Sequence, residues 1–289
     1  MEVRSLGYRT DLAILALEGS QVTDRGDHLV IRTPGNPDYW WGNFLLLPDL
    51  KPGSGSGWMA RFAAEFPDAQ HMALGLDETD AGTVDPHELA GMTMERNAVM
   101  TATSVHAPPH PNTEAVFRTL EGDGDWRQSF ELAAAVYAGE PGGDAGFLTA
   151  QLAAKRALTE AGHGAWFGAF LDGTLVSQLR LITNKTGLAR YQSVETHPAA
   201  RRRGLAGTLV RHASATTLTG DTKTLVMVAD PDDTAISVYR SVGFTVTESQ
   251  LSFIRQPARQ LSAKVTRTRY HPTPATPPPQ QISRRCALI

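Results

Sequence analysis

Apolar and β-branched residues are concentrated in four short segments of the second half of the chain, at positions 165–171, 175–182, 188–196 and 224–229. Short apolar runs bounded by turn residues are typical of strands. Asp172 and Gly173 separate the first two segments, and Asn184 lies in the gap before the third, so tight turns can connect these three. The pattern predicts an antiparallel meander of three strands followed by a further strand.

Helical patterns surround this meander. Residues 126–137 and 146–161 have apolar side chains at helical spacing, and residues 115–120 before them have the composition of a strand. A helix is predicted to end near Leu218, after the meander, and another surrounds Tyr239 before a last strand. The predicted order is strand, two helices, three strands, helix, strand, helix and strand.

The first part of the chain shows a strand-helix-strand pattern. Strands are predicted at 28–33, 43–47 and 71–76, and aromatic residues spaced four apart from Trp58 to Phe66 mark one face of a helix. The glycine-serine run at 53–57 precedes this helix but lacks the Gly-Lys-Ser/Thr ending of a phosphate loop. We expect it to be a flexible connector.

The composition is that of a globular protein of one large domain or two domains of ordinary size. The chain has 289 residues, of which 41% are hydrophobic and 20% are charged. Its first twenty residues resemble neither a signal peptide nor a membrane span, so we expect a cytoplasmic protein. Cys286, the single cysteine, excludes an internal disulfide and a cysteine-based zinc site. Its position in a proline-rich tail makes an acyl-cysteine intermediate an unfavourable hypothesis.

Charge is distributed unevenly along the chain. The net charge is −3, but seven arginines and lysines and no carboxylates follow Glu248, so residues 1–248 carry a net charge of −10. An acidic body attracts a cationic amine and repels nucleic acid, so we expect no nucleic-acid partner. Solubility alone is an equally good explanation of this charge.

Residues 194–208 run from the end of the third meander strand through three consecutive arginines into a predicted helix. The first N–H groups of a helix lack intrahelical partners and carry a positive partial charge, so they can bind a pyrophosphate. Gly204, Ala206 and Gly207 would let phosphates approach the backbone, and glycine permits the backbone angles of an anion-binding nest. We expect Gly204→Glu to abolish such binding without unfolding the protein.

This segment resembles the acetyl-CoA signature of the GNAT superfamily of N-acetyltransferases. That signature is a strand ending in Val-x-Thr-x-Pro, followed by [Gln/Arg]-x-x-Gly-x-[Gly/Ala], and the bracketed arginine here is Arg201. Residues 232–244 resemble the family's Asn-x-x-Ala-x-x-x-Tyr-x-x-x-Gly-Phe helix, with Asp232 where asparagine is usual. Asp and Asn can both cap a helix start. An ordinary crossover is the alternative interpretation of either block alone.

The resemblance implies an α/β (α+β) fold with a mixed, mostly antiparallel sheet flanked by helices. We expect the acetyl-CoA-binding domain at residues 113–257, after a proline-rich linker at 106–111. Residues 1–112 lack an Arg-x-x-Gly-x-[Gly/Ala] element, and we expect them to form a smaller, degenerate GNAT-like domain, as in tandem members of the superfamily. Residues 258–289 are expected to be a flexible, proline-rich basic tail.

The resemblance also implies acetyl-CoA as the acyl donor, with no metal. Val194 and Thr196 would bond the pantetheine amides through their backbones, and the arginines with the following helix start would face the phosphates. The residues expected to bind acetyl-CoA are Val194, Thr196, Arg201, Arg202, Arg203, Gly204, Leu205, Ala206, Gly207, Thr208 and Asp232. Three consecutive arginines cannot all point inward, so we expect one or two to remain in solvent.

Two side chains are candidates for proton transfer. An amine with an ordinary pKa of about 10.4 is almost entirely protonated at pH 7, so a base must remove its proton. Glu195 lies on the strand beside the signature and is the candidate base. The alternative is a carboxylate paired with a following arginine or with solvent. Tyr239 matches the family's general acid, which protonates the departing sulfur, and the alternative is a buried packing tyrosine.

Three functions remain open from the sequence. We favour direct acetyl transfer from acetyl-CoA to the amine of a small molecule or peptide. A catalytically weak regulator that binds acyl-CoA is the second hypothesis, and an acyltransferase for longer acyl-CoA is the third. No membrane partner is expected, an oligomer is possible, and the acceptor amine is not specified by any motif.

Overall fold

A computed structural model of the chain describes residues 1–80, 82, 84–138, 145–183, 186–218 and 221–256. The predicted tail at 258–289 therefore lies outside the described residues.

The described strands form one sheet of eleven strands. They are β1 Gln21–Asp24, β2 Leu29–Arg32, β3 Phe44–Leu47, β4 Met72–Leu76, β5 Thr93–Ala102, β6 Val116–Thr119, β7 Ala165–Leu171, β8 Thr174–Thr183, β9 Leu188–Thr196, β10 Thr224–Ala229 and β11 Thr245–Arg255. Their order in the sheet is β1-β2-β3-β4-β11-β5-β10-β9-β8-β7-β6. Two neighbouring pairs, β3 with β4 and β9 with β10, are parallel, and the other pairs are antiparallel.

Six α-helices of the described part of the chain pack against this sheet. They are α1 Leu6–Leu17, α2 Gly55–Glu65, α3 Gly122–Val136, α4 Ala145–Glu160, α5 Leu205–Thr217 and α6 Ala235–Arg240. Around β8 and β9, α5 covers one face of the sheet, while α1, α3 and α4 meet the opposite face. The predicted α/β fold, a mostly antiparallel sheet flanked by helices, is confirmed.

The predicted strands and helices of the second half are all present, but α1, β1 and β5 were not predicted. The segment of α1 carries arginine, threonine, aspartate and glycine among its apolar residues, which obscures its helical period. β5 mixes exposed and buried residues without regular alternation. Its position depends on two flanking strands, β10 and β11, which are distant in sequence. Tertiary pairing therefore determines an element that local pattern does not show.

The expectation of a flexible connector at 53–57 is wrong, because α2 begins at Gly55. A Cβ atom at Gly55 would lie 1.7 Å from the carbonyl oxygen of Glu88. The glycine is therefore required by close backbone packing rather than by mobility.

The sheet continues across the predicted boundary at residue 112. β5 precedes that boundary and pairs with β10 and β11, and β11 also pairs with β4. The division into units 1–112 and 113–257 stays a prediction.

The two faces of the sheet differ in chemistry around β8 and β9. The face beneath α5 and α6 is an apolar core that includes Phe167, Leu179, Tyr191 and Leu209. The opposite face has buried polar side chains, namely Gln178, Arg180, Arg190, Gln192 and Glu195. These polar groups are the first structural indication of a site.

Two searches of the described residues give negative results. None of the described helices has the length and apolar character needed to cross a membrane. No group of three or more histidine, cysteine, aspartate or glutamate side chains is arranged to hold a metal ion in the described part of the chain.

Candidate functional site

The sheet opens between β9 and β10. Their parallel pairing extends from Leu188 to Arg190 on β9 and from Thr224 to Val226 on β10. Farther along, β9 pairs with β8 and β10 with β5, but within the described residues they no longer pair with each other. The edge of β9 that includes Val194 and Thr196 therefore faces an opening where an extended molecule could bond to the backbone.

A β-bulge lies in β9 beside this opening. Gln178 of β8 pairs with Glu195, but Arg180 pairs with Gln192, so two residues of β9 oppose one residue of β8. Ser193 in the bulge has a φ of +50°, which is uncommon for a residue with a side chain. The extra residue shifts the alternation of side chains by one position.

The bulge decides where Glu195 points. Tyr191 lies in the apolar core beneath α5, and Val194 packs against the same core. Glu195 instead bonds Tyr137 and Gln178 on the opposite face. In a strand without a bulge, residues 191 and 195 would lie on the same face. Glu195 therefore reaches the polar face because of the bulge.

Glu195 is a buried carboxylate with specific partners. The Tyr137 hydroxyl donates a 3.0 Å hydrogen bond to its Oε1, and Gln178 Nε2 donates a 2.6 Å hydrogen bond to its Oε2. Burial raises the pKa of Glu195, while Gln178, the charge of Lys155 and Tyr137 act to lower it. The alternative of a carboxylate paired with a following arginine or with solvent is wrong in this structure.

Lys155 of α4 is a second buried charge on this face. Its Nζ donates to Gln151 Oε1 at 3.0 Å and to the hydroxyl of Ser193 in the bulge at 3.3 Å. Burial lowers the pKa of Lys155 to about 8, and the charge of Glu195 opposes that shift. Lys155 therefore joins α4 to the bulge by a hydrogen bond, and its charge lowers the pKa of Glu195.

α5 begins immediately after the arginine turn. Its N-cap residue, Gly204, has a φ of +72°, and Arg202 has a φ of +65°. Left-handed residues next to a helix start turn successive N–H groups into one concavity. The amides of residues 205–207 have no acceptor among the described residues. These groups form an anion-binding geometry at the end of the opening.

The three arginines differ in their contacts. Arg201 Nε donates to the carbonyl of Thr196 at 3.3 Å, and Arg203 forms an ion pair with Glu114. Arg202 is exposed and has no ion-pair partner among the described residues. Arg202 is therefore the arginine best available to an anion.

Gly204 has the left-handed φ expected of a nest, but the space beside the glycines of this turn is filled by protein. A Cβ at Gly204 would lie 2.2 Å from the carbonyl oxygen of His110. A Cβ at Gly207 would lie 3.2 Å from Pro108. The linker 106–111 packs against these positions, so their lack of side chains accommodates protein rather than phosphate. Gly204→Glu would disturb this packing and is unsuitable as a binding test.

Thr208 and Leu205 also have structural partners at the start of α5. The Thr208 hydroxyl donates to the Gly204 carbonyl at 2.9 Å and accepts from the amide of Asn112 at 2.9 Å. The Leu205 side chain is buried in the apolar core, whereas Ala206 is only half-buried. The backbone of this turn, rather than its side chains, is what a ligand could contact.

Tyr239 lies on α6 with its side chain in the apolar core. Burial and the charge of Asp233 raise the pKa of Tyr239, which keeps the phenol protonated at neutral pH. Its hydroxyl forms no hydrogen bond with another described residue. The packing and proton-donor hypotheses both fit this position.

Asp232 does not cap α6. Its side chain is exposed, and its amide donates to Asp230 Oδ1 at 2.9 Å. The carboxylate that bonds the amide of Ala235 at the start of α6 is that of Asp233, at 2.9 Å. The capping interpretation of Asp232 is therefore corrected to its neighbour.

Sequence reasoning missed the other buried polar side chains on the face of Glu195. Gln178, Arg180 and Gln192 alternate with apolar residues along β8 and β9, a pattern that ordinarily indicates a solvent-exposed face. Here the helices α1, α3 and α4 cover that face. The available signal was the number of polar residues at alternate positions of strands that are otherwise apolar.

Comparison with known proteins places this geometry in context. Residues 175–252 match the model of the family described as FR47-like protein. A search of curated proteins found no match. Among solved structures, a protein of unknown function from Staphylococcus epidermidis has a TM-score of 0.66 at 11% identity, over 84% of this chain and 96% of that chain.

Two further similar structures have names that state their family. A GCN5-related N-acetyltransferase from Kribbella flavida has a TM-score of 0.61 at 15% identity, over 89% of this chain and 98% of that chain. A tandem GNAT protein from the clavulanic acid biosynthesis pathway has a TM-score of 0.53 at 12% identity, over 90% of both chains. The GNAT-like fold that the two sequence motifs imply is confirmed. The chain therefore has the GNAT fold, with an FR47-like segment at residues 175–252.

Proposed function

We propose that the protein transfers an acetyl group from acetyl-CoA directly to the amine of a small molecule or peptide. The observation that carries this proposal is the opening between β9 and β10, which leads to the nest at the start of α5. An extended arm with a diphosphate at one end fits this combination. The GNAT fold suggests acyl transfer in general. We further propose that the acyl group is acetyl and that the acceptor group is an amine.

The described residues fit such a donor. The backbone of Val194 and Thr196 would bond the pantetheine arm, and the amides of residues 205–207 with Arg202 would hold the phosphates. Acetyl-CoA supplies a thioester that an amine can attack and a thiolate that leaves. The fit depends on the amides of residues 205–207, which have no acceptor among the described residues, and on the edge of β9 beyond its pairing with β10.

Glu195 would act as the general base. A buried carboxylate with a raised pKa is a stronger base than an exposed one, and the pKa thereby moves toward the working pH. Tyr137 and Gln178 would hold the carboxylate in one orientation while it accepts the amine's proton. Tyr239 would donate the proton that the departing sulfur needs, since burial keeps its phenol protonated.

The donor site can be tested with one substitution at two positions of α5. Ala206→Glu places a carboxylate beside the free amides of the first turn, whereas Ala215→Glu places it on the exposed surface of the same helix. We expect Ala206→Glu to weaken CoA binding by about 10-fold or more, since it puts an anion where the phosphates would lie. Calorimetric titration should show unchanged affinity for Ala215→Glu.

The outcomes separate the open functions. Equal CoA affinity in the two variants, or no binding by the wild type, would refute the proposed donor site. Binding of acetyl-CoA without release of free CoA in the presence of any amine would support the acyl-CoA-binding regulator instead. Faster turnover with longer acyl-CoA than with acetyl-CoA would support the third function.

A further inference from the structure

We propose that the acceptor carries a carboxylate as well as an amine, and that Arg180 binds this carboxylate in the place now taken by Glu18. This inference rests on the proposed function, because it names the substrate class of the same site. Amino acids and related zwitterions are the simplest molecules of this class.

Arg180 is buried without adequate partners. Its side chain is 0% exposed, and within the described part of the chain its guanidinium meets a single carboxylate, that of Glu18, at a long distance of 3.5 Å. A guanidinium has five N–H donors, and leaving them buried and unpaired is energetically costly. The arrangement therefore suits a residue that gains an anion on binding.

Glu18 is a poor permanent partner for Arg180. Its Oε1 lies 3.5 Å from Arg180 Nη1, beyond a good charged hydrogen bond. Glu18 is also the C-cap residue of α1, where the helix dipole disfavours a negative charge. Its side chain is 21% exposed, compared with 0% for Arg180, so it occupies the outer side of the pair. An incoming carboxylate could displace it toward solvent.

The local charges balance when one external carboxylate replaces that of Glu18. Lys155 and Arg180 contribute two positive charges, and Glu195 and Glu18 contribute two negative charges. Displacing Glu18 removes the negative charge beside Arg180, and the acceptor's carboxylate restores it. A diamine would instead place its second ammonium beside two cations, which is unfavourable.

The spacing on β8 suits a small bifunctional acceptor. Gln178 and Arg180 are two positions apart on one face, about 7 Å along the strand. Gln178 holds the carboxylate of Glu195, the proposed base, so the base and the guanidinium occupy neighbouring positions. Gln192 is paired with Arg180 in the ladder, and its buried Oε1 has no hydrogen-bond partner among the described residues. This oxygen could accept a bond from the acceptor's amine.

The test compares amino acids with the amines formed by removing their carboxylate. Lysine with cadaverine, histidine with histamine and tyrosine with tyramine form three matched pairs. Binding to the full chain saturated with CoA is measured by calorimetry, and turnover with acetyl-CoA is followed by release of free thiol. We expect at least one pair in which the amino acid is favoured by about 10-fold or more, as a hydrogen-bonded charge pair would provide.

Arg180→Gln should reduce that preference to less than about 3-fold. A wild type that binds each pair equally well in the presence of CoA would overturn the inference, whether or not turnover is seen. An unchanged preference in a folded Arg180→Gln protein would overturn it too, and would make Arg180 purely structural. Failure to bind CoA would refute the proposed function separately.

Glu18→Gln provides a second test if Arg180→Gln does not fold. It removes the competing carboxylate, so the KM for the favoured amino acid should fall by about 3-fold or more, while that for its decarboxylated partner should not. Glu131→Gln, an exposed carboxylate of α3, is the matched control. An unchanged or higher KM for the amino acid in Glu18→Gln would contradict displacement.

Discussion

The two faces of β8 and β9 are built from the same strands but from opposite chemistry. On one face, Leu179 and Tyr191 are almost fully buried with Leu209 of α5 in a continuous apolar core. On the other face, Arg180 and Glu195 are buried almost as deeply. Burial of apolar side chains stabilises a fold and leaves no charge to be paired, whereas buried charges cost free energy unless they are paired with opposite charges or hydrogen bonds. The difference indicates that the apolar face stabilises the sheet, whereas the polar face carries buried charges that need specific partners.

The bulge at Ser193 joins these two faces. It lets Val194 remain on the apolar side while Glu195 turns to the polar side, within two consecutive residues. It lies at the opening where the acyl group of a bound donor would be. The comparison therefore predicts that substitutions on the polar face alter turnover and that substitutions on the apolar face alter stability, with the hydroxyl of Tyr239 as the exception.

The largest effect is expected for Glu195→Gln. Loss of the proposed base should lower kcat by about 10²- to 10⁴-fold, because the amine's proton then has no positioned acceptor. CoA affinity should be unchanged, since Glu195 points away from α5. Steady-state kinetics and calorimetry measure the two quantities, with Glu131→Gln as the exposed control. A decrease of less than about 3-fold would remove Glu195 from the mechanism.

A comparably large effect, on stability instead of rate, is expected for Leu209→Ala. Leu209 is 0% exposed in the apolar core, and truncating such a leucine costs about 2–5 kcal/mol. Denaturant unfolding should show this loss, while kcat/KM of the folded protein stays within about 2-fold. Leu218→Ala, at the half-buried end of the same helix, should cost less. A decrease in kcat/KM as large as that of Glu195→Gln would contradict the separation of faces.

Local sequence pattern accounts for much of the apolar face and little of the polar one. The strands β7 to β10 follow from short apolar runs and turn residues, and the start of α5 follows from the motif at 194–208. Arg180 gives no local signal, because its partner Glu18 lies at the end of α1, which is distant from β8 in sequence. Lys155 gives none either, because its burial depends on the contact of α4 with Ser193 of β9. The close packing of Gly204 was missed for the same reason, since its neighbour is the backbone of residue 110.

An intermediate effect is expected for Tyr239→Phe, which removes a hydroxyl that bonds no other described residue. Turnover should fall by about 10- to 100-fold if the phenol protonates the sulfur, with little loss of stability. Tyr191→Phe is the matched variant, because its hydroxyl bonds the Val210 carbonyl at 3.0 Å and Ser214 Oγ at 2.6 Å. That change should cost about 1 kcal/mol of stability and leave kcat nearly unchanged. If Tyr239→Phe lowers stability and leaves kcat unchanged, Tyr239 is a packing residue only.

The smallest effect is a displacement of the pH profile in Lys155→Met. The charge of Lys155 lowers the pKa of Glu195, so its removal should raise that pKa and move the acid limb of kcat/KM upward by about 0.5–1 pH unit. Arg156→Met is the control, since Arg156 lies on the same helix but pairs with Asp123 and Glu160 at the surface.

The stability of the wild type relative to Lys155→Met should also depend on pH. The pKa of Lys155 is about 8 when folded and near 10.5 when unfolded, so burial of its ammonium penalises the wild type most below pH 8. The wild type should therefore gain stability relative to Lys155→Met as the pH rises from 8 to 10.5. An acid limb that does not move, together with this stability trend, would show that Lys155 is buried near Glu195 without tuning it.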